Sequence, residues 1–440
     1  MTGEKKKFNA WIPNFGAKGW GVTAVCFVFM IFYTFWNSVT NTLFGMFTEE
    51  YGWAQTDMSY VITVAGWLSL IGIVVFGALG RKYGAKLICM IGLAGSAIGF
   101  ALIAVMNSFA MYAAAVIIFY ITMVAYGSIG LGQLGSSWFP RTKGAFMGIA
   151  NIGMTASTAL CNPLILLFQG TPWGISGFFW AGTIVLVIML IIVGVFVKNN
   201  PEEAGCYPDN DRTLSREELD AEFKAAQEYK KNSPWTVGKV LRTPQTWLIA
   251  LGLGITGIYT SGMISLLVPT LMAFGHDMLF GVGLLSGMWF IGLLGHYLIG
   301  VLDVKLGSKI TTIIVVCIAG LSGLLIFLGG HNTLACAIAV AFLLFGMSGA
   351  ANMIMSLTTS IFGREDFDVA YPVVQVIFSI LSFSGISVVS TISAMVGAIY
   401  VPIAGFVITV IALIPLIALP YKQIASRTQS GAEMAVEEQK

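Results

Sequence analysis

The chain of 440 residues is 57% hydrophobic and only 10% charged, which excludes an ordinary water-facing surface and makes lipid the expected solvent. Its formal net charge of +2 gives no reason to expect nucleic acid as a partner.

The basic start MTGEKKKFNAW leads into an apolar stretch too long for a cleavable leader, so it is read as a retained helix. Apolar runs able to cross a hydrocarbon core of about 30 Å then recur. Six are expected over 19–46, 57–80, 86–106, 110–138, 143–168 and 172–197. The polar stretch 198–243 follows, and six more spans are expected over 244–274, 278–302, 309–330, 333–361, 369–396 and 399–420. With the N-terminus inside, all 23 Lys and Arg fall on one side, the basic end, while Glu49, Glu50, Asp57 and Asp277 lie on the other. Basic residues mark the cytoplasmic face, so both termini are expected in the cytoplasm and the chain in the cell membrane. The expected fold class is all-α integral membrane, with twelve transmembrane helices. Three parts are expected: a six-helix bundle over 1–197, a cytoplasmic loop over 198–243, and a second bundle with a short tail over 244–440. Within the loop, Ser215 and Glu218 suit the start of an amphipathic surface helix, with a solvated linker as the alternative.

The halves repeat. GALGRKYGAK after the second span matches GVLDVKLGSK after the eighth, pairing Gly77 with Gly300, Gly84 with Gly307 and Lys86 with Lys309. The same offset of 223 residues pairs Phe139 with Phe362 and Arg141 with Arg364.

At these motifs the chain resembles the major facilitator superfamily. YGWAQTDMS, WFPRTKGAFMG and PEEAGCYPD are similar, more narrowly, to its oxalate/formate antiporter and monocarboxylate porter group. The resemblance implies two pseudo-symmetric six-helix bundles, no enzymatic activity and no cofactor. It also implies gating loops at Gly77, Arg81, Gly84, Arg141, Asp303, Gly307 and Arg364. Where the family has Asp before Arg81 this chain has Gly80, and Asp303 in the second half is displaced by one place, so the usual gating account does not carry over directly.

Polar side chains within lipid-crossing helices are expected to face protein or a water-filled path. In the first span Tyr33, Trp36, Asn37, Thr40 and Asn41 follow one helical face. The fourth offers Tyr126 and Gln133, the fifth Asn151, Thr155 and Thr158, the seventh Tyr259, the tenth Asn352 and the eleventh Gln375. These are the spans that line the path in the resembled fold; any single Ser, Thr or Asn also serves as interhelical glue. No Lys, Arg, Asp or Glu lies deep within a span, which leaves His296 as the ionisable candidate. In the resembled group an Arg after the glycine of span 8 binds the substrate carboxylate; here Gly295 is followed by His296. The basic residue that its dicarboxylate carriers place in span 11 has no counterpart beside Gln375.

A histidine gains and loses charge near neutral pH, so proton coupling at His296 is expected, with a neutral histidine bonded to backbone as the bland alternative. The expected function is secondary transport of a small organic monoanion by proton symport or anion exchange, in a monomer. The alternatives are a carrier of a neutral or bulkier amphipathic solute, and a non-transporting receptor. No metal-ligand cluster, nucleotide loop or nucleophile elbow is found.

Overall fold

The computed structural model describes residues 13–211, 216–287 and 289–424, with helices and no strand among them. Eleven helical stretches there are long and apolar enough to cross a membrane. The remaining expected span, the eighth, comprises Met278–Gly287 and Trp289–Leu306, on either side of position 288, which lies outside the described residues. The fold is the twelve-helix arrangement of two pseudo-symmetric six-helix bundles.

Span 1 is Gly16–Tyr33 followed by Phe35–Tyr51, broken at Thr34. At the break the Thr34 hydroxyl donates to the Met30 carbonyl one turn back at 2.9 Å and approaches that of Met154 in span 5 at 3.4 Å. Spans 2 and 3 are Gln55–Tyr83 and Ala85–Ala104. Span 4 runs as Phe109–Val124, a π-helical turn Ala125–Gly130, and Leu131–Trp138. Its glycines permit close approach: a Cβ on Gly127 would sit 2.2 Å from the Tyr33 ring. Spans 5 and 6 are Lys143–Gln169 and Gly174–Phe196.

The polar stretch forms a helix over Arg216–Asn232, whose expected cap Ser215 lies outside the described residues, and a short helix Val237–Arg242. Spans 7, 9, 10 and 12 are Pro244–Ala273, Ser308–Gly329, Thr333–Phe362 and Val401–Ala418. Span 11 is Phe367–Phe383 and Gly385–Val396, broken at Ser384.

The duplication is visible atom by atom. Gly84 and Gly307 share one backbone conformation (φ +87°, ψ 167° and φ +82°, ψ 156°), a left-handed geometry that glycine adopts without strain. Lys86 Nζ donates to the Gly194 carbonyl at 2.6 Å, and Lys309 Nζ to that of Ile417 at 2.8 Å, so each lysine covers the end of its half's last span. On those last spans Ile184, Ile188 and Ile191 are exposed, as are Val407, Ile411 and Ile414 at the same offset. Each set follows helical spacing and forms the lipid-facing stripe of its half.

Contacts between halves concentrate on two helix pairs, span 5 with span 8 and span 2 with span 11. Small residues allow them: a Cβ on Gly300 would lie 2.4 Å from the Gly144 carbonyl oxygen, and one on Gly77 2.7 Å from Pro372.

Candidate functional site

Three sequence-selected residues converge where span 5 meets spans 8 and 10. Asn151 Nδ2 donates to Asn352 Oδ1 at 2.5 Å, across the boundary between halves. The same oxygen lies 3.2 Å from His296 Nδ1, and Asn352 Nδ2 donates to the His296 backbone carbonyl at 3.0 Å. All three side chains are buried, and Gly148 of span 5 lets that helix close on the carbonyl, since a Cβ there would be 2.5 Å from it. Asn151 Oδ1 has no hydrogen-bond donor among the described residues. Buried polar atoms seldom go unpaired, so this acceptor is suited to a water or a ligand. His296 stands ten residues before the end of its helix at Leu306, about 15 Å along the axis and deeper than a span ending at 302 implies.

Tyr33 lies against Gly127 of span 4, partly buried, and Asn37 is exposed. Asn41, Thr40 and Thr158 have side chains outside the described residues. Gln375 donates to Ser379 at 3.2 Å, and its Oε1 is a second buried acceptor without a donor among the described residues.

Three expected pathway residues are placed instead inside the packing of single halves. Trp36 is buried against Phe35, Tyr112 and Phe179, because the break at Thr34 interrupts the helical face that its spacing assumes. Tyr126 accepts from Ser96 of span 3 at 3.2 Å and packs on Phe29. Tyr259 reaches Ser322 of span 9 at 2.9 Å, with Gly405 of span 12 under its ring. A large ring with a polar tip fits an interhelical gap where small residues face it, and periodicity does not separate that gap from a water-filled path.

Gln133, also expected on the path, fills the space over Gly80: a Cβ there would be 2.6 Å from both its amide atoms. The repeat explains the arrangement. The repeat offset puts Asp303 at the Gly80 position itself, not one place away as expected, and Ser356 at that of Gln133; the Ser356 hydroxyl donates to Asp303 at 2.5 Å. A longer neutral side chain thus occupies the place of the carboxylate missing from the first half.

The charged residues expected in gating loops cluster at the basic end. Arg364 pairs with Glu202 through two bonds of 2.9 and 3.0 Å, while its repeat-mate Arg141 reaches Asp211 at 2.7 Å. Arg81 donates to the Trp235 carbonyl at 3.3 Å. Lys143 Nζ donates to Ser360 at 2.6 Å across the boundary and interacts electrostatically with Asp303. Asp209 accepts from the Thr142 hydroxyl at 2.6 Å; burial pushes its carboxyl up, against the pull of that bond and of the Arg141 and Thr142 backbone amides. Asp366 accepts from Tyr229 at 2.8 Å and from Ser233; burial pushes its carboxyl up too, with Glu365 adding to the rise and Arg81 opposing it. Sequence reasoning omitted Glu202, Lys143, Ser356, Ser360 and Asp366. The available signal was the pair of repeat-related arginines, each of which needed an acidic partner.

Comparison with known proteins bears on the whole arrangement. The family model described as Major Facilitator Superfamily matches residues 25–386. A search of curated proteins finds no match. The solved structure of the human organic anion transporter MFSD10 (TETRAN) is similar with a TM-score of 0.66 at 12% identity, over 91% of this chain and 100% of that one. The proton:xylose symporter XylE, bound to 6-bromo-6-deoxy-D-glucose, is similar with a TM-score of 0.67 at 12% identity, over 92% of this chain and 97% of that one. At such identity the likeness shows the fold alone.

Proposed function

The chain belongs to the major facilitator superfamily, and from that premise we propose that it carries a small organic monoanion across the membrane by alternating access, as a proton symporter or anion exchanger. The moving bodies are residues 1–197 and 244–440, joined by 198–243. The basic end faces the cytoplasm of the cell membrane with both termini, and the working unit is a monomer.

The observation that carries this reading is the meeting of Asn151, Asn352 and His296 at the boundary of the halves. A site opened and closed by relative motion of two bodies needs groups from both, and this cluster draws span 5 from one and spans 8 and 10 from the other. Its one ionisable member attracts a carboxylate when protonated and releases it when neutral. A dianion would need more buried positive charge than a single imidazolium supplies. Arg81, Lys143 and Arg364 hold the basic end shut, while Gly77, Gly84 and Gly307 set the close approaches and turns.

The acceptors Asn151 Oδ1 and Gln375 Oε1, without a donor among the described residues, favour a second reading, a neutral solute rich in hydroxyl donors. Counterflow of labelled solutes in liposomes separates the readings. Exchange of monocarboxylates supports the first, exchange of neutral polyols alone supports the second, and binding without exchange points to a receptor.

A further inference from the structure

We propose that Asn352 is the positioning residue of this site: it fixes His296 as the Nδ1–H tautomer, leaves Nε2 as the atom that takes up a proton, and divides one oxygen between that imidazole and the opposite half. The consequence for transport rests on the carrier reading; the tautomer does not.

Hydrogen-bond logic determines the assignment. The His296 backbone carbonyl accepts and never donates, and it lies 3.0 Å from one end of the Asn352 amide. That end is therefore the nitrogen; the flipped amide would oppose two oxygens. Oδ1 then faces Asn151 at 2.5 Å and His296 Nδ1 at 3.2 Å, and an oxygen carrying only lone pairs needs a donor from each. Hence the neutral ring bears its proton on Nδ1, with its lone pair on Nε2. Asn151 must likewise turn its nitrogen toward Asn352, which is why its own oxygen has no donor among the described residues.

A proton arriving at Nε2 keeps the Nδ1–H bond and makes it charge-assisted, roughly twice as strong as a neutral one. Asn352 Oδ1 is then drawn toward His296, on its own half, at the expense of Asn151 on the other. Proton uptake thereby weakens the amide bridge between halves. Around His296, span 5 presents Gly148 and span 10 presents Asn352. Tyr297 follows His296 directly on span 8, and the charged groups next along these helices are Asp303 and Lys143, engaged with Ser356, Ser360 and each other.

The test is nitrogen NMR of the full chain in nanodiscs with labelled histidine, at a pH well above the ordinary imidazole value of about 6.5. The chain has three histidines, and His296→Gln identifies the signal. The unaltered protein and Asn151→Ala should show Nδ1–H with a bare Nε2, and Asn352→Ala should lose that preference. An Nε2–H signal in the unaltered protein, which requires no variant to fold, overturns the proposal; so does an unchanged tautomer in Asn352→Ala. In proteoliposomes Asn352→Ala should move the midpoint of the pH–rate profile toward acid by about one unit, with no shift in a His296→Gln background. A flat profile in the unaltered protein, with the Nδ1–H signal present, removes the proton-coupled reading and upholds the tautomer.

Discussion

Asn151 of span 5 and Asn352 of span 10 form a buried side-chain hydrogen bond of 2.5 Å that crosses between the halves deep within the helices, well away from the basic end. A neutral hydrogen bond contributes about 1 kcal/mol net, which corresponds to roughly a fivefold change in a two-state equilibrium. Asn151→Ala should therefore lower the ratio of molecules closed to molecules open at the basic end by about that factor. Distances between spin labels at Tyr83 and Leu306 report it, and an unchanged distribution contradicts the assignment of a bridging role.

Arg141 and Arg364 are equivalent in the repeat but not in environment. The Arg141–Asp211 pair has side chains 79% and 32% exposed, against 22% and 3% for Arg364–Glu202. Exposed pairs are worth about 0–1 kcal/mol, whereas breaking a buried one costs about 3–5 kcal/mol. Arg364→Ala should thus lower the melting temperature of the protein in nanodiscs clearly more than Arg141→Ala. Equal effects would argue against Glu202 as a latch.

Gly300 meets the Gly144 carbonyl so closely that any side chain must part spans 5 and 8, while Gly283 has nothing among the described residues within 4 Å of an added Cβ. Gly300→Ala should abolish or strongly slow exchange in a protein that still inserts and purifies, and Gly283→Ala should leave the rate near normal. Full exchange by Gly300→Ala would show that the contact does not limit the cycle.

Asp366 gives a pH dependence with a definite sign. Its folded carboxyl is raised by burial, so folding favours the protonated form. The stability of the unaltered protein relative to Asp366→Asn should be greatest below the ordinary aspartate value of about 3.9, and should fall as pH rises through the raised value. Melting curves of both proteins across that range check this. A relative gain with rising pH would mean that Ser233 and Tyr229 more than offset the burial.

The parts of the fold that depend on solvent and spacing were readable directly. Lipid demands long apolar helices, and the offset joining Gly84 to Gly307 reappears in backbone angles and in the lysines that cover Gly194 and Ile417. Of the candidate site, Asn151, Asn352 and His296 were legible because polar groups deep in a span need one another. The packing of Trp36, Tyr126 and Tyr259 within single halves was not legible, because helical spacing fixes a face without saying which neighbour covers it. Gln133 became interpretable only beside Gly80, since volume exchange between two distant positions leaves no trace in periodicity.

The most direct test is exchange of labelled organic monoanions in proteoliposomes at about pH 5 and about pH 8, comparing the unaltered protein with His296→Gln. The account predicts monoanion exchange that is faster in acid, and a variant in which this pH dependence disappears. Exchange confined to neutral solutes, or an identical pH dependence in His296→Gln, would contradict it.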